Sequence, residues 1–476
     1  MAEQLPPVHS VGRGFRGSLT LKLILIGVLI FGLLLLTIPL FVIIDDRQDR
    51  QDEVVEEISS KWGGDQTILG PILSVPYRIP INVKSNGKQH TTHKIEFLHF
   101  LPENLEINAS VKPEMKYRGI FETVVYRSVI KIKGNFAPLD WSQAQVDEAI
   151  ILKEQGSLSV GIPDVRGIRE KNKILLSGKE LLPLPGLRSQ DLLKSGIHAK
   201  VSLVDENQSL EFSIELHLDG SSSLAFSPLG KTTSVSVKST WPSPSFDGAF
   251  LPLSKKIDSD GFSATWKVLH LNRPIPQAWT GSIPASSGGN FNQRNNYKQS
   301  QSYTGFAGPS NELGNYSFGV KFYLPTDVYQ KTTRMAKYAI LFLVFGFMSF
   351  FFTEILQRAQ VHPIQYLLVG FAILIFYLLL LSLSEHLGFD LAYLISTTGV
   401  VVLICTYASA ILRSSRLAIS VCLVLSILYG YLYVILQLES YALLMGSLGL
   451  FASLALAMYF TRKIDWYSLR LSGKNQ

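Results

Sequence analysis

The sequence predicts a membrane protein with six transmembrane α-helices, one near the N-terminus and five in a C-terminal bundle, and a large β-rich periplasmic domain between helices one and two. Three observations predict it. Six apolar runs approach the ~20 residues that a bilayer core demands, and the stretch between the first and second reads as an ordinary soluble chain. Within that stretch, short segments alternate polar and apolar residues, the period of half-buried strands. Basic residues occupy alternate links between the later helices, which fixes one orientation. The resulting divisions are a cytoplasmic tail over 1–22, an anchor over 23–44, the periplasmic domain over 45–335, the five-helix domain over 336–461 and a cytoplasmic tail over 462–476.

The first apolar run carries no charge, and Arg13, Arg16 and Lys22 precede it. It is too long for the core of a secretory signal, and Asp45, Asp46 and Arg47 stand where a small-residue cleavage site would fall. It is therefore an uncleaved anchor. Val54, Val55 and Ile58 give 46–61 an amphipathic helical pattern. A solvated helix against the domain is preferred there over a stalk that continues the anchor.

From Ile72 the period shortens. Ser128-Val-Ile-Lys-Ile-Lys, Leu210-Glu-Phe-Ser-Ile-Glu-Leu and Thr233-Ser-Val-Ser-Val-Lys alternate and are bounded by turn residues, so they are strands. One short helix is expected over 142–151, with Ser142 as its N-cap. Residues 280–310, dominated by Gly, Ser, Asn and Gln, are expected to form a long mobile loop. No repeat of fixed period occurs, and a pair of similar β-subdomains stays open.

The later runs cover 338–356, 364–383, 391–412, 417–438 and 441–460, and their short links make them antiparallel neighbours. Arg358, Arg413, Arg416 and the group Arg462, Lys463, Arg470 and Lys474 mark the cytoplasmic side. The links at 384–390 and 439–440 contain no Lys or Arg. Both termini are thus expected in the cytoplasm, and parity exports the large domain. Lys331, Arg334 and Lys337 lie on the wrong side, but they end a long translocated segment, where the charge rule has little force.

A net charge of +7 does not signal nucleic acid, because many of the basic residues sit at the ends of apolar runs. The two cysteines, Cys405 and Cys422, lie inside apolar runs and read as small packing residues. No nucleophile elbow, zinc-protease helix or phosphate-binding loop is present, so neither enzyme activity nor a cofactor is expected. His93 and His99 would face one way on a strand, about 20 Å apart, and ordinary strand histidines are preferred over a metal site.

Several residues are candidates for function. Asp164 and Arg166 lie in a turn, where a local ion pair is preferred over a ligand site. Trp241 opens a segment of aromatics and prolines that either grips a partner or plugs the end of a β-core, the plug being preferred. Glu354 has Arg358, Arg462 or Lys463 as expected ion-pair partners. Glu385 and His386 adjoin at the outer end of a helix, either as a pH-sensing pair or, preferably, as an interfacial cap. No Asp, Glu, Lys, Arg or His lies mid-span in any helix. Tyr429, Tyr431 and Tyr433 either line a cavity or bond neighbouring backbones.

These segments resemble a known family. His362-Pro-Ile-Gln-Tyr-Leu-Leu-Val-Gly, the run from Phe376 through Glu385 and His386 to Phe389, Gly70-Pro-Ile-Leu, Tyr117-Arg-Gly-Ile-Phe, Asp164-Val-Arg-Gly-Ile, the segment 241–252 and Ile464-Asp-Trp-Tyr are similar to the inner membrane protein CreD family of Gram-negative bacteria. The least similar parts are 1–17 and 282–310. The resemblance adds His362 to the candidate residues and implies a cell-envelope integrity protein of the cytoplasmic membrane. It further implies association with a two-component regulon, colicin tolerance and β-lactam response, and it brings no catalytic residues. The expected partners are the lipid bilayer and envelope components or a membrane protein, with no nucleic acid. A transporter for an envelope solute and a stress-signalling partner are the alternatives.

Overall fold

The computed structural model describes residues 19–85, 88–144, 150–189, 195–203, 208–281, 314–322, 328–357, 361–412, 415–438 and 441–462. The chain forms two compact units, Met1–Arg50 with Thr326–Gln476, and Gln51–Pro325.

The first unit begins with α1 (Leu19–Leu35), followed across Leu36 by α2 (Thr37–Trp62). The interruption has a local cause. Pro39 has no N–H to return to the Leu35 carbonyl, and Thr37 Oγ1 donates to the Leu34 carbonyl at 2.7 Å. Beyond Ile44, α2 continues without a break to Trp62. The amphipathic stretch therefore continues the anchor, which corrects the expectation of a separate solvated helix.

Four helices among the described residues are long and apolar enough to cross a membrane: the rod over Leu21–Trp62, α5 (Pro363–Leu387), α6 (Phe389–Leu412), and α7 (Ser415–Gln437) from Leu417 onward. A fifth arises if α3 (Val328–Lys337) and α4 (Ala339–Gln357), bent by 46° about Tyr338, form one span. The uncharged α8 (Ala442–Thr461) completes the chain of helices. Aromatic rings fill the interior of this unit. Phe342 of α4 and Phe376 of α5 lie 4.5 Å and 4.9 Å from the ring of Tyr429 on α7. Leu368, Ile375, Leu394 and Leu423 point outward, as lipid-facing positions do.

The cysteines correct another expectation. Cys405 and Cys422 are joined by a disulfide, with Cα atoms 5.6 Å apart. Each lies about two helical turns from the α6–α7 link, so antiparallel packing brings them level.

The second unit is a sandwich of two sheets. One contains β1 (Gln66–Ser85), β2 (Lys88–Phe100), β5 (Gly156–Gly161), β8 (Leu184–Pro185), β9 (Gly196–Val201), β11 (Ser223–Phe226), β13 (Pro244–Gly248), β16 (Ala278–Thr280) and β17 (Phe318–Phe322). The other runs in the order β14 (Ser254–Asp258), β15 (Gly261–Leu269), β12 (Thr232–Ser239), β3 (Asn104–Arg118), β4 (Phe121–Phe136), β10 (Leu210–Ser221), β6 (Lys173–Leu176) and β7 (Lys179–Leu181). Alternation sets the faces. On β3, Leu105, Ile107, Ala109 and Val111 are buried, while Glu106, Asn108, Ser110 and Lys112 are exposed. Both sheets feed one core, in which Ile107 and Ile214 join Leu73, Leu158 and Phe318. The domain is thus one sandwich, not two β-subdomains. Each fully buried aliphatic chain contributes roughly 1.5–3 kcal/mol, so a cysteine-free domain of this size needs no crosslink.

The helix expected over 142–151 begins as a 3-10 turn, Trp141–Ala144. Its cap is Asp140, whose Oδ1 accepts from the backbone N–H of Ser142 at 3.0 Å and from its hydroxyl at 2.6 Å. Ser142 is not the cap, because it lies inside the turn, one residue after Trp141. Residues 145–149 lie outside the described residues, as does most of the loop expected over 280–310.

One buried cation organises the segment entering β16. Arg273 is 5 % exposed. Its guanidinium donates to the carbonyls of Ile275 and Leu229, the latter at 2.8 Å, and to Gln277 Oε1. Burial lowers its pKa to about 10, so it stays charged at neutral pH. Arg273→Met keeps much of the volume but strands three acceptors, each costing about 1–3 kcal/mol. The expected result is a loss of about 3 kcal/mol, read as a lower urea midpoint for the β-sandwich. An unchanged midpoint would show that other donors take over.

Candidate functional site

The residues singled out from the sequence fall into separate places. Glu354, near the end of α4, occupies one end of the helical unit. Its Oε1 pairs with the ammonium of Lys22 on α1 and accepts from the Val361 N–H at 3.2 Å, while Oε2 accepts from the Tyr366 hydroxyl at 3.0 Å. Lys22 also donates to the Val361 carbonyl at 3.1 Å. The partner is thus a residue that the sequence offered only as a topology marker. Arg462, one of the expected partners, instead lies over the Tyr459 ring at 4.1 Å, and Arg358 and Lys463 lie outside the described residues. His362 is the N-cap of α5. Its Nδ1 accepts from the Ile364 N–H at 3.3 Å, and Gln365 Oε1 returns the bond to the His362 N–H at 2.9 Å. Pro363 at the first helical position fits the same start signal.

Glu385 lies about 35 Å along α5 from that cap, at 1.5 Å per residue. It accepts from the Tyr329 hydroxyl at 3.1 Å and faces Arg47 at 3.7 Å. His386 is exposed. Consecutive helical positions diverge by about 100°, so Glu385 turns inward to Tyr329 and its neighbour outward.

In the β-sandwich unit, Asp164 and Arg166 form the local ion pair that the turn implied. Arg166 Nε donates to Asp164 Oδ1 at 2.8 Å and its terminal nitrogen to Oδ2 at 2.7 Å. Asp164 does more than close a turn, because Gly64 donates its N–H to Oδ2 at 2.9 Å. Burial alone would raise this carboxyl's pKa; Arg166 and the Gly64 N–H outweigh it and hold the group below the usual aspartate range. Close backbone contact explains Gly167, where an added Cβ would meet the Asp219 carbonyl at 2.2 Å.

This turn flanks a residue the sequence reading passed over. Trp62 ends α2, and its indole N–H donates to the Tyr126 carbonyl at 3.3 Å. Lys116, Arg127 and Arg169 lie over its ring at 5.0, 5.4 and 5.6 Å. Three cations on one indole form a strong cation–π box, and Arg169 is also held by buried Asp219. The available signal was a tryptophan closing an amphipathic helix immediately before Gly63 and Gly64.

Trp241 is half-buried at the sandwich core, its N–H donating to the Ser243 carbonyl at 3.1 Å. Phe246 packs edge-on against Phe262 and Trp266, and Phe250 against Phe318. The segment fills the end of the core and presents no open aromatic grip. His99 is buried, with Nδ1 at 2.8 Å from Ser74 Oγ and its ring 5.3 Å from that of Trp279, whereas His93 is exposed on the same strand. Two of the three α7 tyrosines bond neighbouring groups: Tyr431 donates to the Met445 carbonyl, and Tyr433 to Asp390 at 3.1 Å. Among the described residues, no group of three or more His, Cys, Asp or Glu side chains converges to hold a metal ion. The arrangement ties the helices of the first unit together and packs Trp62 against strands of the sandwich.

A family model described as inner membrane protein CreD matches residues 18–467. Inner membrane protein CreD of Escherichia coli (strain K12) is 32% identical over 448 residues, spanning 93% of this chain and 93% of that protein.

Proposed function

The chain belongs to the inner membrane protein CreD family, and from that premise we propose a non-enzymatic envelope integrity protein whose β-sandwich is exported to bind or brace envelope components during stress. In this reading α8 and the bent α3–α4 pair are full spans, making six, and both termini are cytoplasmic. The observation that carries it is the insertion of an entire sandwich, Gln51–Pro325, between one apolar rod and the remaining apolar helices. The alternation of basic links supports the orientation.

Orientation is tested by cysteine labelling. With Cys405 and Cys422 replaced by Ala, Lys267→Cys is expected to react with a membrane-impermeant maleimide in cells whose outer membrane alone is opened. Arg416→Cys reacts only after the inner membrane is breached. The reverse pattern would sink the topology. Release of soluble fragments from peptidoglycan by the purified protein would sink the non-enzymatic role.

A solute path is the second reading. The hydroxyls of Tyr377, Ser396 and Tyr429 are buried and make no hydrogen bond among the described residues, a costly state within a bilayer unless water or solute meets them. Flux in proteoliposomes that Tyr429→Phe abolishes would promote it.

A further inference from the structure

The outward face of the eight-stranded sheet holds a groove of about 430 Å³ where β3, β12, β15 and β14 meet. Lys112, Lys238 and Lys256 line it together with Ser110, Thr240 and Ser263. Register explains the convergence. Lys238 pairs with Ser110 on one side and Ser263 on the other, and Ser263 pairs with Lys256. Lys112 is therefore a diagonal neighbour of Lys238, roughly 7–8 Å away.

The charges do not cancel. Lys256 takes up Asp258 at 2.9 Å, and Asp260 lies in the turn of the β14–β15 hairpin, where Ser259 donates to it at 3.3 Å. Lys112 and Lys238 are exposed and enter no ion pair among the described residues. Directly across the strand pair from Lys112 stands another cation, Arg127. Arg127 is itself held by Glu114 and the Trp62 ring.

The lining specifies the ligand. Its cationic donors are all lysines, point charges that select an anionic ligand. Hydroxyls between the lysines match sugar hydroxyls. No lining residue is an exposed large apolar side chain, which argues against a bilayer surface.

We propose that this groove binds a carboxylate-bearing glycan strand, with Lys112 and Lys238 taking its carboxylates and Ser110, Thr240 and Ser263 its hydroxyls. The inference rests on the reading that the sandwich is exported to meet the envelope.

The test uses the full chain in nanodiscs of zwitterionic lipid, with sodium polygalacturonate as the probe. Binding is expected, weakened by added salt and at least tenfold stronger than to neutral dextran. Lys112→Gln with Lys238→Gln lowers it at least tenfold. Lys179→Gln with Lys200→Gln, the same charge change elsewhere on the domain, leaves it within twofold. Equal binding by the groove variant, or equal binding of dextran, overturns the proposal, as does preference for phosphatidylglycerol vesicles over polygalacturonate. Co-sedimentation with purified peptidoglycan sacculi separates the two levels. If wild type and groove variant sediment equally, the groove is wrong and the envelope-binding reading stands. If wild type does not sediment, that reading fails.

Discussion

Lowering the pH from about 6.5 toward 3 destabilises the β-sandwich, and His99→Gln removes most of that acid limb. His99 is fully buried, and burial lowers its pKa from 6.5 to about 3, with the Gly281 carbonyl working against the shift. The folded state therefore holds a neutral imidazole where the unfolded chain binds a proton. Between the two values the unfolded state binds more protons, so stability falls as pH falls. The contribution is complete above about pH 6.5 and is lost progressively toward about 3. At 1.36 kcal/mol per unit, the loss approaches roughly 4–5 kcal/mol at the acid end. Asp164, also held below its ordinary range, acts in the same direction but only under the normal aspartate range, near 3.8. Urea midpoints of the full chain across this window measure the slope. His93→Gln, at an exposed position of the same strand, leaves it unchanged. A wild-type midpoint flat from pH 6.5 to 4.5 would show that His99 is protonated without cost.

Glu354→Ala lowers the stability of the helical unit by about 3 kcal/mol, and replacing Lys22 as well restores much of it. The two side chains are only 11% and 26% exposed. Removing the carboxylate leaves the ammonium with the Val361 carbonyl as its remaining partner and strands the Tyr366 hydroxyl and the Val361 N–H. Breaking one member of a buried pair typically costs 3–5 kcal/mol, while exchanging both for apolar groups is often neutral. The lower figure suits a pair near a helix end. Thermal unfolding in detergent of Glu354→Ala, Lys22→Met and the double variant forms the cycle. Additive losses would mean that the contact carries no coupling.

How far such sites were legible follows from how local their signals are. His362 entered through the family resemblance alone, although the following proline and the glutamine three residues after it are the local signal of a helix start. The Asp164–Arg166 pair needed a two-residue spacing in a turn. Glu354 demanded more, since its partner lies 332 residues away and nothing along the chain links them. Glu385 and His386 show the opposite relation: adjacency in sequence became divergence on a helix. Trp62 was passed over because its three cations come from β3, β4 and the turn before β6.

By itself, the sequence determined that this is a membrane protein with a large β-rich domain, which strands alternate their faces, and which family it resembles. Hydropathy, period and motif are properties of neighbouring residues, and a bilayer or a sheet reads them directly. Only the tertiary structure decided that the strands close into one sandwich, that Cys405 meets Cys422, that Lys22 meets Glu354, and that Lys112 and Lys238 share a groove. Those outcomes depend on strand order and helix packing, which bring together residues that no local preference relates.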